Sequence, residues 1–322
     1  MKRITWMRGA KILVEDGLNV RAGESVLIVG DSTTVEIVEI LAYVAAERGA
    51  TVVTTFMEPT GRHAAEPPAP VAAAMKAANV ILMPTAYSLT HTDARRQATA
   101  AGARVMTLPA ADETLFTGGS LDIDLRQVAD TALRVGRLLE QARHARVTSD
   151  NGTDLRLELV GRKAPDQSGL CHQPGSWGAL PCVESAVSPL EGSAEGMWVV
   201  DGVIPQIGVV REPVVLTISG GRVAGIEGGK DAAILRAFLE SYQDPSVYWV
   251  VEIGVGLNPK ARIGRSYLEG ESEYGTMHLG VGDGTSFGSS NKAPVHCDLV
   301  IRNPVFELDG RVVLKDHKLF LE

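Results

Sequence analysis

The chain has only three cysteines in 322 residues, Cys171, Cys182 and Cys297. So few, so irregularly spaced, they build neither a disulfide framework nor a C-x-x-C motif, and reduced thiols in a cytoplasmic setting are the expectation. Basic charge is also short: 31 Lys and Arg against 39 Asp and Glu leave a formal net charge of −8. Surfaces that grip nucleic acid or anionic membranes ordinarily present a basic patch, so neither partner is expected. No apolar run reaches the roughly 18 residues of a membrane span. The opening MKRITWMRGAKILVEDGL has basic residues but no apolar run behind them, unlike a secretory signal. Several catalytic motifs are missing as well: the nucleophile elbow, H-E-x-x-H, and the phosphate-cradling G-x-x-x-x-G-K-[ST]. The turn VGDSTTVE after the first clear strand lacks G-x-G-x-x-G, which argues against a dinucleotide cofactor. No internal repeat or low-complexity tract is present.

What remains is an ordinary globular composition, 45% hydrophobic and 22% charged, long enough for two domains. The first half alternates strand and helix signals. SVLIVG (Ser25–Gly30) is a short apolar run, and VEIVEILAYVAAERGA places Val35, Val38, Leu41, Ala42 and Ala45 at helical spacing before a stop at Gly49. TVVTTF from Thr51, a strand at Val80–Met83, a helix in SLTHTDARRQATAAGA, a strand around Arg104–Leu108 and a helix over about Asp124–Ala142 continue the rhythm. Such βαβα order predicts an α/β domain with a parallel, doubly wound sheet over residues 1–148.

The second half reads differently. In TDLRLELVG, Leu155, Leu157 and Leu159 alternate with Asp154, Arg156 and Glu158, the mark of a half-buried antiparallel strand. EPVVLTISGGRVAGIEGG reads as a hairpin through Gly220–Gly221, and one helix lies near Asp231–Tyr242. Residues 149–322 are therefore expected to form a mixed, largely antiparallel α+β domain.

Chemistry concentrates in GTMHLGVGDGTSFGSSNKAPVHCDL. His278 and His296 are expected on strands joined by a segment rich in Gly, Ser and Asn. In an extended strand, residues i and i+2 share a face, so His296 and Asp298 project together and Cys297 points away. Metal sites need several N, O or S donors converging at about 2 Å. Alone, H-x-D is as readily polar surface as a ligand pair. Glu252, ending the apolar run YWVVE, and Glu184, in GALPCVESAVSP, add two carboxylates in apolar company, where an unpaired charge is costly. The five together could hold one metal with spare acid/base groups, or two with a bridging carboxylate. Softer candidates follow a parallel strand's carboxyl end: His91, Thr92 and Arg95 in SLTHTDARR, where Thr92 could equally be a helix cap. Glu269, Glu271 and Glu273 in EGESEYGT read as a solvated acidic loop, and Asp283 as a turn residue.

Four segments in order, LPCVESAVSP…AEG, VEIGVGLNPKAR, EYGTMHLGVGD and APVHCDLVI, resemble the metal-binding segments of the aminopeptidase T/aminopeptidase S metallopeptidases. ILVEDGLNVRAGESVLIVGD and AAERGATVV resemble that group's N-terminal domain, so the likeness covers most of the chain. The non-haem iron 2,5-dihydroxypyridine 5,6-dioxygenases, similar in architecture and closer in size, are a second resemblance. Carried over, the peptidase pattern implies metal ligation by Glu184, Glu252, His278, His296 and Asp298. Two departures stand out: Thr285 occupies the place of a peptidase tyrosine near the metals, and the chain is shorter than those enzymes. In the dioxygenases a histidine ligand precedes GLNP, where this chain has Glu252.

The resemblance leads first to a metal-dependent hydrolase cleaving an amide in a small-molecule or short-peptide substrate. It would use one or two Zn, Co or Mn ions, with Glu184 as general base and metal-activated water. The alternative is a ring-cleaving dioxygenase with Fe(II) on His278, His296 and Asp298. A binding protein without turnover is the third class. His91, Arg95 and Thr285 are carried as substrate-binding candidates, and a homodimer is what the relatives imply.

Overall fold

A computed structural model describes residues 2–322. The chain forms two compact units, neither continuous in sequence: residues up to Ala129 with Gln167–Val183, and Asp130–Asp166 with Glu184–Glu322. This differs from one cut at residue 148, for two reasons of strand pairing. His144–Thr148 pairs antiparallel with Asp154–Glu158 and Val305–Leu308, which ties it to the later strands. Later in the chain, Trp177–Gly178 returns to pair in parallel with Arg104–Pro109.

In the first unit a five-stranded sheet runs in the order Thr51–Met57, Ser25–Asp31, Val80–Thr85, Arg104–Pro109, Trp177–Gly178, every neighbouring pair parallel. The three inner strands are apolar and almost wholly buried, as a sheet covered on both faces requires. Helix Val35–Glu47 buries Ile37, Val38, Ile40, Leu41, Val44 and Ala45, while Val35 is exposed, so its apolar stripe is rotated from the spacing expected. Gly30 admits this helix closely: a Cβ there would meet Val38 Cγ2 at 2.5 Å.

The second unit holds two larger antiparallel sheets. One has eight strands, from Arg222–Glu227 at one edge to Lys318–Leu319 at the other. It includes the expected hairpin Val214–Ser219/Arg222–Glu227 and the strand Asp154–Glu158, whose Leu155 and Leu157 are buried. The other has four strands in the order His296–Ile301, Met277–Gly282, Val250–Gly256, Glu184–Val187. Trp198, fully buried on the eight-stranded sheet, donates its indole N–H to Leu299 O of the four-stranded sheet at 2.9 Å. The central strands of the smaller sheet are buried along their whole length, which fixes their side chains against both layers. Among the described residues no helix is long and apolar enough to cross a membrane.

Candidate metal centre

The four-stranded sheet places the five expected donors on one face, and the register shows how. His278 lies across from Gly254 on one side and Val300 on the other. Glu252 and Asp298 both lie across from Gly280, and His296 across from Gly282. Glu184 lies across from Gly256. Each charged residue thus borders a glycine on a neighbouring strand. The space is used: a Cβ at Gly254 would sit 2.1 Å from His278 Nε2, and one at Gly280 would sit 2.7 Å from Glu252 Cβ and 3.0 Å from His296 Cε1. A bulge between Val250 and Glu252 shifts the register just before Glu252 and turns its carboxylate onto the donor face.

Two groups of three donors result, Glu184–Glu252–His278 and Glu252–His296–Asp298, and Glu252 belongs to both. His278 Nε2 stands 3.4 Å from Glu184 Oε2 and 3.4 Å from Glu252 Oε1. His296 Nε2 stands 3.0 Å from Glu252 Oε2 and 3.0 Å from Asp298 Oδ1. The triad of His278, His296 and Asp298 is therefore not a separate cluster, because Glu252 stands between its histidines. Burial alone would push the His278 imidazolium down, but Glu184, Glu252 and Asp298 override it and hold the group up at about 10. Burial opposes charge at His296 too, and Asp298 and Glu252 raise it well above the usual histidine range.

His296 has a second set of contacts. Its Nδ1 lies 2.7 Å from the carbonyl of Asp283, which fixes a proton on that nitrogen and leaves Nε2 facing the carboxylates. The Phe287 ring stacks on the imidazole, centroids 5.4 Å apart at 27°. Asp283 is itself buried, its carboxylate accepting from Thr285 N (3.1 Å) and Oγ1 (2.6 Å), so it is more than a turn residue. Cys297 points to the other face, its Sγ 3.5 Å from Gln206 Oε1, and burial first, then Asp298 and Glu271, pushes its thiol well above the usual range.

The remaining candidates have local roles. Thr285 is exposed and bonded to Asp283. His91 and Arg95 belong to the first unit, where Thr92 caps helix Asp93–Ala100 by accepting from Arg95 N. Arg95 donates Nε to Thr90 O at 2.7 Å and lies over the Trp177 ring at 4.5 Å, while His91 meets Trp177 edge-on. The acidic segment is not a solvated loop: Glu269 and Glu271 are buried on the short helix Tyr267–Ser272. Glu269 accepts from Arg262 N at 3.1 Å and Glu273 from Ile263 N at 2.7 Å, so these carboxylates tie down the preceding loop.

Three carboxylates and two imidazoles, each no more than 8% exposed at the side chain, suit a divalent metal ion. Oxygen and imidazole nitrogen donors match Zn, Mn, Co or Fe(II). Three buried carboxylates crowded on two imidazoles leave oxygen lone pairs that a bound cation would satisfy.

An open parallel-sheet unit joined to an antiparallel unit that gathers carboxylates and histidines is an architecture shared with enzymes. AmpT from Thermus thermophilus superposes with a TM-score of 0.71 at 14% identity, covering 99% of this chain and 100% of that one. The solved 2,5-dihydroxypyridine dioxygenase of Pseudomonas putida superposes with a TM-score of 0.85 at 23% identity, covering 99% and 97%. In sequence, the 2,5-dihydroxypyridine 5,6-dioxygenase of Pseudomonas putida is 30% identical over 253 residues, 75% of this chain and 71% of that protein. Residues 16–320 match the family model NicX, 2,5-dihydroxypyridine 5,6-dioxygenase, and the chain belongs to that family. The hydrolase expectation is thereby overturned. The peptidase likeness extends to the fold alone at 14% identity, whereas the sequence match over nearly the whole chain is to dioxygenases.

Proposed function

We propose that the chain is an iron(II)-dependent, ring-cleaving dioxygenase acting on 2,5-dihydroxypyridine or a closely related hydroxylated N-heteroaromatic. The observation that carries this reading is the family match over residues 16–320. The donor set supports it: His278, His296 and Asp298 offer two imidazoles and a carboxylate, with Glu252 between the histidines and Glu184 beside His278. Iron(II), when bound, supplies an ion able to exchange electrons with both dioxygen and an electron-rich ring. The residues of the chain do the rest. His278 and His296 each carry a proton when no ion is bound, and exchanging two such protons for one divalent ion leaves the buried charge unchanged. In this reading Glu184, whose Oε2 lies 3.4 Å from His278 Nε2 at the end of the donor row, accepts a hydroxyl proton from the substrate. Low exposure of all five donors keeps water from competing for the ion.

The test is dioxygen uptake by protein purified anaerobically and loaded with iron(II), given 2,5-dihydroxypyridine. The expected result is consumption of dioxygen mole for mole with loss of the aromatic absorbance, and retention of both atoms of labelled dioxygen in the product. Iron-loaded protein that leaves this substrate and its close hydroxypyridine analogues intact would overturn the reading.

A further inference from the structure

We infer that Arg162 and Glu191 are positioning residues for His296, acting through the loop of residues 284–293. The imidazole is held by two groups at this loop's start, the Asp283 carbonyl on Nδ1 and the Phe287 ring on its face. Neither belongs to a strand. The segment between them and Asn291 carries Gly284, Gly288, Ser289 and Ser290, and Gly288 takes a left-handed φ of 86°. Such a composition has high conformational freedom of its own, so the grip on His296 depends on what holds the loop.

At its middle the loop is held from outside by an ion pair. Glu191 Oε1 accepts from Ser290 N at 3.0 Å, Ser290 Oγ at 3.1 Å and Ser289 Oγ at 3.5 Å. Glu191 Oε2 pairs with the Arg162 guanidinium, whose Nη1 donates to Gly288 O at 3.2 Å. The two partners therefore fasten three successive residues immediately after Phe287. Asn291 Nδ2 closes the loop's base on Gly282 O (2.6 Å) and Ser246 O (2.9 Å). Glu191 and Arg162 come from separate segments, outside the four strands that carry the five donors.

Exposure separates positioning from plain stabilisation. The pair is partly open to solvent, at 15% and 34% of the side chains, and such pairs contribute little to global stability. Burial raises the Glu191 carboxyl, but the Ser290 N–H and Arg162 bring it down to about 2, so the clasp stays charged throughout the working range. Outer partners that orient a ligating histidine alter metal affinity by about 10- to 100-fold when removed.

The experiment compares Glu191→Ala, Glu191→Gln and Arg162→Lys with the unaltered chain. It measures Co(II) affinity, the Nδ1–H resonance of His296 in metal-free protein, and Tm. The expected result for Glu191→Ala is about a 10-fold loss of Co(II) affinity with a weakened or exchange-broadened Nδ1–H signal and a small change in Tm. Glu191→Gln, which keeps an acceptor for Ser290, should recover most of both readouts. The affinity arm rests on His296 being a metal ligand, as proposed above; the resonance does not. A chain that binds no Co(II) sinks the ligand assignment while the resonance still decides the clasp. An unchanged Nδ1–H signal in Glu191→Ala overturns the inference, as does a loss of signal that merely follows global unfolding in all three variants.

Discussion

Gly254 lies directly across the antiparallel register from His278, and the imidazole occupies the volume that any side chain at position 254 would need. The contact of 2.1 Å that a Cβ would make with Nε2 cannot be relieved by a flexible chain end, because His278 is 1% exposed and packed from both sides. Gly254→Ala should therefore displace the ring and cut bound metal at least 10-fold in a chain that still folds. Metal content by elemental analysis, alongside circular dichroism, checks this; a folded variant with full metal occupancy would show that the ring finds another seat.

Adjacent residues on one strand should behave oppositely. His296→Ala removes a donor shared with Glu252 and Asp298, and metal binding should be lost. Cys297→Ala alters only the far face, against Gln206, and should cost about 1 kcal/mol of stability with metal content unchanged. Loss of metal from the cysteine variant would contradict the strand-face assignment.

Glu252 stands 3.4 Å from His278 Nε2 and 3.0 Å from His296 Nε2, whereas Glu184 stands beside His278, which ranks their substitutions. Glu252→Gln should weaken metal binding far more than Glu184→Gln. Glu184→Gln should instead lower kcat with much of the metal retained, since its proposed task is to take a substrate proton. Titration with Co(II) and steady-state oxygen uptake separate the two, and equal losses of metal would refute the ranking.

Metal loading should release protons. The folded-state pKa of His278, about 10, lies above the ordinary 6.5, so the imidazolium contribution to metal-free stability is full below 6.5 and fades as pH rises through about 10. Near neutral pH the ion must displace that proton, and the raised His296 adds a second. Calorimetry in buffers of different ionisation enthalpy should find up to two protons released per ion, with affinity rising with pH across that window. Binding without proton release would mean that the histidines are already neutral.

Much of this was legible in the sequence, and the failures have physical causes. Short apolar runs separated by helical spacing reported the parallel strands, since Ser25–Asp31, Val80–Thr85 and Arg104–Pro109 are each one buried strand. Period two separated His296 and Asp298 from Cys297 correctly. The burial of Glu269 and Glu271 was hidden, because the N–H groups that Glu269 and Glu273 satisfy belong to a loop with no periodicity of its own. The place of residues 167–183 was hidden as well, since a two-residue strand carries no pattern. The reaction class could not be read from the donors at all: carboxylates and imidazoles serve hydrolases and oxygenases alike, and only similarity along the chain distinguished them.

The alternation of donors and glycines across Val250–Gly256, Met277–Gly282 and His296–Ile301 sets a rule for how this protein can vary over time. Within Met277–Gly282, loss or gain of one residue would turn His278 or its glycine neighbours to the opposite layer, so strand length there is frozen. Leu279 and Val281, facing the other way, remain free to exchange for apolar residues of similar volume. Drift in this region is confined to every second letter, and insertions are confined to the ends.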